Sequence, residues 1–517
     1  MSIILIVLVI LVAFALASTI AVYSYGRFAD RARGEPSFAL PALENGTPLD
    51  DLVAPLLQAR PEQSGLLLLS SNLDAFAARA LAARHAGRSL DLQYYIWKGD
   101  LTGRLLINEI VRAADRGVRV RLLLDDINAR WTDHTLVALD AHPNIAVRLF
   151  NPSRSREGAL RRGIEMMLRA FSATRRMHNK AWIADGRLAV IGGRNIGDAY
   201  FDASRSSNFR DLDVLLMGGV VAQTEAVFDR FWNSSAAIPI AALRRSHGGG
   251  LARVRDEIAR LPAEQGAQPY LRRVTENSTV RGIFSRAEAI HWTHEARIVS
   301  DPPEKTQAMG QEGWLMHAIQ PALLAAKSDL ELISPYFIPG EAGLVQFLDI
   351  ARAGVKISIL TNSLAATDVT AVHGAYARYR KPLLEGGVHL FELKPYDHRS
   401  KASLFGSSGA SLHTKAFMVD GHIAFVGSMN FDPRSISLNT EMGILFGHEG
   451  LIAEIRTVFA EETSPAASYR LHVEDGAIAW QDGAKGSGRT LRVEPDAGFR
   501  RRIAATIIGL LPIESQL

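Results

Sequence analysis

MHNKAWIADGRLAVIGGRN, residues 177–195, returns 235 positions later as LHTKAFMVDGHIAFVGSMN, residues 412–430. Both copies have the form His-x-Lys-x4-Asp-x6-Gly-(Gly/Ser)-x-Asn. The first supplies His178, Lys180, Asp185, Gly192, Gly193 and Asn195; the second supplies His413, Lys415, Asp420, Gly427, Ser428 and Asn430. Matching residues at one spacing in two places mark a duplicated half-site, whose copies are expected to meet across a single phosphate.

Residues two apart on a strand share a face, so His178 projects with Lys180 and His413 with Lys415. Apolar runs flank Asp185-Gly186 and Asp420-Gly421, and Asp-Gly between such runs signals a hairpin. The two aspartates therefore read first as turn formers or structural partners, and they are retained among the candidate site residues. The glycines that follow suit a close approach of backbone to ligand. Asn195 and Asn430 can donate amide hydrogens to an oxyanion.

This residue set fits phosphodiester chemistry. A phosphodiester repels nucleophiles, so its non-bridging oxygens need positive charge, which two lysines provide, and its leaving oxygen needs a proton. One neutral imidazole can attack phosphorus while the other, protonated, serves the leaving group from the opposite side. With an ordinary pKa of about 6.5, histidine can hold either state near neutrality. The intermediate would be a phosphohistidine. A single His-x-Lys could equally be a polar strand face, but the matched pair argues against that. Paired histidines could also hold a metal. Here a lysine stands beside each one, cysteine is absent, and no His-x3-His or HExxH spacing occurs, so no metal or cofactor is expected.

The duplication extends beyond the motif. LDLQYYIW, an apolar-periodic helix and RGVRVRLLLDD (90–126) are echoed by LELISPYFI, a helix and AGVKISILTNS (330–363). In both halves a further strand follows, IAVRLFN and VHLFEL, before the hairpin. Alternating strands and helices indicate an α/β fold, with strands such as Val118–Leu124 covered on both faces. Two such domains about a pseudo-two-fold axis would form one cleft, so neither half should work alone. A chain of 517 residues has room for both. The expected division is 1–25 as an anchor, 26–60 as a linker, 61–288 as the first domain with its connecting helices, and 289–517 as the second. The GGGL stretch at 248–251 reads as a loop, since no GxxxxGK[ST] accompanies it.

Ile3 to Tyr23 carries no charge and is long enough to cross a bilayer. Ala15-Leu16-Ala17 resembles a cleavage site, but no Lys or Arg precedes the run and the run continues past it, which favours an uncleaved anchor over a signal peptide. Arg27, Arg31 and Arg33 follow, placing the body of the protein in the cytoplasm by the positive-inside rule. Before the first motif, Ser153–Met177 carries Arg154, Arg156, Arg161, Arg162, Arg169, Arg175 and Arg176 against Glu157 and Glu165. Its Leu160, Ile164, Met167, Leu168 and Phe171 recur at helical spacing. This is either a basic amphipathic helix lying on anionic lipid or an ordinary surface helix. The net charge of +4 does not announce nucleic acid. The lack of cysteine removes disulfide and thiol chemistry, and the sequons at Asn233 and Asn277 are read as chance.

The duplicated motif resembles that of the phospholipase D superfamily. GGRNIGDAYFD (192–202), FRDLDVLLMG (209–218), LFGSSGASLHTKAF (404–417), SLNTEMGILF (437–446) and the C-terminal LLPIESQL resemble its bacterial cardiolipin synthase C branch, over most of the chain after about residue 60. The resemblance implies catalytic His178 and His413, phosphate-binding Lys180, Lys415, Asn195 and Asn430, and an acidic residue orienting each histidine. Glu441 is the candidate for His413, and Asp211 or Asp213 for His178. The aspartates could instead form the polar face of a half-buried strand, alternating with Leu212 and Val214. The implied activity is a membrane phosphatidyltransferase making cardiolipin from phosphatidylglycerol and a second phospholipid, phosphatidylethanolamine or phosphatidylglycerol, at the bacterial inner membrane. A small accessory protein could take part. The alternatives are a phospholipase D yielding phosphatidic acid, a nuclease and a lipid-binding protein without activity. The anchor and the absence of a basic patch interleaved with aromatics argue against the nuclease.

Overall fold

The computed structural model describes residues 3–43, 46–129, 133–156, 158–205, 207–244, 249–264, 266–276, 289–395, 410–483 and 488–517. The Asn277 sequon, residues 404–409 of the LFGSSGASLHTKAF stretch and Glu157 lie outside the described residues, as does the side chain of Phe171.

The first half supplies β1 (Ser64–Leu69), β2 (Ser89–Tyr94), β3 (Arg119–Asp125), β4 (Ile145–Phe150), β5 (Ala181–Ala184), β6 (Leu188–Gly192), β7 (Asn208–Arg210), β8 (Asp213–Met217), β9 (Ala237–Pro239) and β10 (His291–Thr293). All but β7 join one sheet in the order β10-β1-β8-β6-β5-β2-β3-β4-β9. The second half supplies β11 (Ala296–Ser300), β12 (Asp329–Ile333), β13 (Lys356–Asn362), β14 (His389–Leu393), β15 (Ala410–Leu412), β16 (Ala416–Val419), β17 (Ile423–Gly427), β18 (Met442–Phe446), β19 (Ser468–Glu474), β20 (Ala477–Asp482) and β21 (Arg489–Leu491). Its sheet runs β11-β18-β17-β16-β12-β13-β14-β19-β20-β21. In each half three parallel strands joined by helices adjoin a catalytic-motif hairpin, β5–β6 or β16–β17.

The hairpins turn at Asp185-Gly186 and Asp420-Gly421, where all four residues have positive φ, as the Asp-Gly signal requires. Within each hairpin strand, alternate residues enter different cores. Trp182 of β5 joins the helix-covered face of the first sheet, with Phe76, Leu106 and Ile110. Ile183 joins a second cluster that also contains Ile191, Val214, Met418, Val426 and Ile444. That second cluster spans both halves, so the two sheets pack face to face and each carries helices outside. Separating the halves would expose this layer at about 1.5–3 kcal/mol per large side chain, so neither half is an independent folding unit.

Two expected boundaries shift. β10 pairs with β1 of the first sheet, whereas β11, three residues later, pairs with β18 of the second. The division therefore falls between Thr293 and Ala296, not at 288, because the chain crosses from sheet to sheet inside one short loop. The N-terminal helix runs from Ile3 to Ala32, past the expected end of the anchor, and the expected linker holds a second helix, Pro48–Gln58, capped by the Thr47 side chain. The segment after the first helix is fastened to the first half: Arg33 donates to the Asn233 carbonyl (2.6 Å), and Asn233 and Ser37 exchange two hydrogen bonds.

Candidate active site

The first motif histidine lies just ahead of its hairpin, in the extended lead-in to β5, and the second occupies the same place before β16. Each lead-in is held by the opposite half. The His178 amide donates to the Thr440 carbonyl (2.9 Å) and the Thr440 amide donates back to Arg176 (2.9 Å). On the other side β15 pairs in parallel with β7, and the His413 amide donates to the Arg210 carbonyl (2.8 Å). The residue after each acceptor is a carboxylate, Glu441 or Asp211, which is thereby delivered to the histidine of the other half.

His178 Nδ1 stands 2.8 Å from Glu441 Oε2, and His413 Nδ1 stands 2.6 Å from Asp211 Oδ2. This reverses the expected assignment, in which each carboxylate served the histidine of its own half. The reason is the pair of strand crossings between the halves, which sequence order does not reveal. Asp213 serves neither histidine: it forms a buried ion pair with Arg79 (2.9 Å) and lies 3.4 Å from Arg194.

The motif glycines keep room for these carboxylates. A Cβ on Gly193 would lie 2.2 Å from Asp211 Oδ1, and one on Gly192, at φ 157°, would lie 2.2 Å from Asp213 Oδ1. Ser428 occupies the place of Gly193 in the second copy, and its hydroxyl donates to Glu441 Oε2 (2.5 Å). The Glu441 amide donates to Asp301 Oδ2 (2.9 Å), which also accepts from Lys305 (2.9 Å). Aromatic rings fix the imidazole planes: Tyr95 meets His178 edge-on with centroids 4.9 Å apart, and Tyr200 and Phe209 pack on His413 at 5.3 and 5.1 Å.

Lys180 Nζ donates to the His178 carbonyl (2.5 Å), and Lys415 Nζ donates likewise to His413. Burial pulls Lys180 down to about 7 and Lys415 to about 8. Burial also pushes His178 down to about 4 and His413 well below its ordinary value, with the neighbouring lysine charges acting in the same direction. Burial opposes ionisation of Glu441, yet His178, Lys180 and the Ser428 hydroxyl hold its pKa below the usual carboxylate range. Without an anion the site thus favours neutral imidazoles. A bound phosphate would draw protons back onto the lysines.

Asn195 is already engaged, accepting from the Ile96 amide (3.1 Å) and donating to the Tyr200 hydroxyl (3.0 Å). Asn430 Oδ1, a hydrogen-bond acceptor, is buried with no hydrogen-bond partner. Asp185 and Asp420 stand apart from the histidines. Asp185 accepts from the amides of Gly87, Arg88 and Ser89, and Asp420 from those of Lys327, Ser328 and Asp329. Each clamps its hairpin turn to the start of a neighbouring strand, the place that the turn-forming reading of Asp-Gly gives it. Among the described residues His373, Glu392 and Glu494 also cluster, but Arg380 pairs with both carboxylates and Trp480 donates to Glu392. A cation is already built into that cluster.

The family described as "Cardiolipin synthase, PLD-like domain" matches residues 82–232 and 319–463, one match around each motif. Cardiolipin synthase C of Escherichia coli K12 is 41% identical over 476 residues, covering 90% of this chain and 99% of that protein. The chain belongs to the cardiolipin synthase branch of the phospholipase D superfamily. Staphylococcus aureus cardiolipin synthase is a more distant relative of this branch member, 25% identical over 380 residues and matched over 73% of this chain and 63% of that one. Among solved structures, phosphatidylserine synthase of Haemophilus influenzae Rd KW20 shares the fold with a TM-score of 0.55 at 12% identity, covering 90% of this chain and all of that one.

As a phospholipase D-superfamily enzyme the chain has residues packed on or bonded to the candidate site that its motif alone did not single out. Tyr95 and Tyr200 lie within quoted segments but carry no spacing signal. Ser428 was visible as the one departure among the six motif positions, and the structure gives that departure a use. Asp301 had no signal, because it acts only through the Glu441 backbone.

Proposed function

We propose that this chain transfers a phosphatidyl group from one phospholipid to the glycerol hydroxyl of phosphatidylglycerol, making cardiolipin. What carries the reading is the buried pair of histidines, one from each half, each held at Nδ1 by a carboxylate from the other half and flanked by its own lysine. A carboxylate on Nδ1 keeps a proton there and turns the Nε2 lone pair toward substrate. In the resting site burial favours the neutral form, which suits a nucleophile.

In the proposed reaction His178 Nε2 attacks phosphorus, the P–N bond forms, and the P–O bond to the donor head group breaks. His413, protonated once the bound phosphate's negative charge offsets that of the neighbouring lysines, gives its Nε2 proton to the departing alkoxide, released as glycerol or ethanolamine. The acceptor hydroxyl then loses its proton to His413 as its oxygen attacks phosphorus, and the P–N bond breaks. Lys180 and Lys415 neutralise the non-bridging oxygens. His178 is assigned the first step, although near-symmetry allows the roles to be exchanged.

The anchor helix and the relatives' names support a membrane-associated protein. We place it in the bacterial inner membrane with its catalytic body in the cytoplasm, on the strength of Arg27, Arg31 and Arg33. Product analysis by mass spectrometry tests the reading, using purified protein on phosphatidylglycerol vesicles with and without phosphatidylethanolamine, in the presence of a chelator. Cardiolipin as main product supports transfer. Phosphatidic acid alone would mean that water captures the phosphohistidine and the enzyme is a hydrolase.

A further inference from the structure

The N-terminal helix leaves only part of its apolar length free. Every residue of Ile3–Leu16 is exposed, about 21 Å of helix at about 1.5 Å per residue, whereas a bilayer's hydrocarbon core is about 30 Å thick. Along the remaining apolar turns one side of the helix touches the catalytic body from Ala17 onward, while Ile20, Val22 and Tyr23 stay exposed on the other. Ser18 donates to the Leu168 carbonyl (2.6 Å), Arg154 donates to Ser24 (3.2 Å), and Arg169 stacks on the Tyr25 ring. A bilayer that covers the whole apolar segment must therefore also reach the Ala159–Leu168 helix. That helix turns Leu160 (78% exposed), Ile164 and Met167 (54%) outward, with no described protein contact to cover them.

A second outward apolar stripe lies on the other half. The Phe499–Gly509 helix packs one side against the Thr370–Glu385 helix, where Gly374 and Gly509 allow backbone contact. Its opposite side presents Phe499, Ile503, Ile507, Leu510 and Leu511, at steps of three and four residues, and Leu510 is 81% exposed. Arg500 and Arg502 flank the stripe. The helix lies at the catalytic end of its sheet, since Arg501 donates to Ala365 and Thr367, just beyond the C-terminal end of β13. Arg434, which follows the second motif, ties the two regions together. Its amide donates to the terminal Leu517 carbonyl, and its guanidinium donates to Thr174 at the end of the helical segment that follows Leu168.

We propose that these two helices form a pair of lips around the cleft that dip into the headgroup–acyl boundary of the membrane that holds the anchor. The Ala159–Leu168 helix belongs to the first half and the Phe499–Gly509 helix to the second. Apolar stripes at helical spacing with arginine flanks suit an anionic lipid surface. The arrangement would let a phospholipid move from bilayer to cleft without its acyl chains crossing water. The contact builds on the phosphatidyl-transfer reading but is measured without turnover.

The chain has no cysteine, so single labels are clean. Full-length Met167→Cys, Ile507→Cys and Leu324→Cys proteins would carry an environment-sensitive fluorophore in phosphatidylglycerol vesicles. Leu324 is exposed, five residues before β12, at the end of the sheet away from the histidines. Labels at 167 and 507 are expected to shift to the blue and to be quenched by lipids brominated near the carbonyls, while the label at 324 stays unquenched. A label at either lip that behaves like the one at 324 overturns the proposal. As a second readout, Ile503→Glu with Ile507→Glu should lower turnover on vesicles at least tenfold and leave turnover on monomeric short-chain lipid unchanged. Equal losses on both substrates would assign the helix a purely structural role and refute lipid docking.

Discussion

Glu441→Gln tests the crossed pairing of carboxylate and histidine directly, because glutamine preserves the shape and removes the charge. In the structure Glu441 reaches His178 at 2.8 Å inside a buried site. Two unit charges about 4 Å apart at an effective dielectric of about 20 interact by about 4 kcal/mol, which corresponds to a rate loss of roughly 10^3-fold if the imidazolium-like transition state loses that support. The assay is single-turnover release of p-nitrophenol from phosphatidyl-p-nitrophenol, whose leaving group needs no general acid. In a His413→Gln background only His178 remains to attack, and Glu441→Gln should slow the burst by that factor while Asp211→Asn leaves it within about threefold. In a His178→Gln background the sensitivities should exchange. If Asp211→Asn silenced His178, or Glu441→Gln silenced His413, the cross-half assignment would be wrong.

Other outcomes can be checked alongside it. Burial lowers Lys180 to about 7 and Lys415 to about 8, so both carry charge below those values and lose it above. kcat/KM should therefore fall as pH rises through 7 to 8, with the kcat limb at higher pH because bound phosphate restores the proton; a kcat/KM flat to pH 9 would refute this. Gly193→Ser should lose at least about 100-fold in turnover despite Ser428 in the matching place, since its Cβ would displace the Asp211 carboxylate; near-normal activity would show that the carboxylate can move. Backbone amides hold Asp420 down to about 2 from its ordinary 3.8, against the effect of burial. A lowered folded pKa stabilises above the unfolded value and is lost as pH falls through the folded one. Asp420→Asn should accordingly lower Tm at pH 7, with the gap to wild type closing between pH 3.8 and about 2 and KM unchanged; a gap independent of pH would sink that account.

Much of the site was legible because it is written locally. His178 and Lys180, or His413 and Lys415, are two positions apart, and the Asp-Gly turns announce both hairpins by their backbone requirement alone. The repeated strand–helix–strand order likewise predicts two α/β sheets, and two sheets of matching topology are found. The turn-forming reading of Asp185 and Asp420 is the one the geometry supports, over their retention as site residues. The pairing of carboxylates went astray for a long-range reason: the partner of His178 lies 263 residues away, and no local pattern encodes a crossing between halves. The boundary near 288 failed similarly, since β10 and β11 are neighbours in sequence but members of different sheets.

The sequence by itself determined the candidate reacting groups, their duplication, the α/β halves and the apolar N-terminal helix, because each depends on residue type and on spacings of a few residues. Tertiary structure decided which acid serves which histidine, how far burial shifts the lysines and imidazoles, and where the anchor meets the body. Those properties arise from segments hundreds of residues apart closing around one dry site, where distance and dielectric are set by the packing of the two halves.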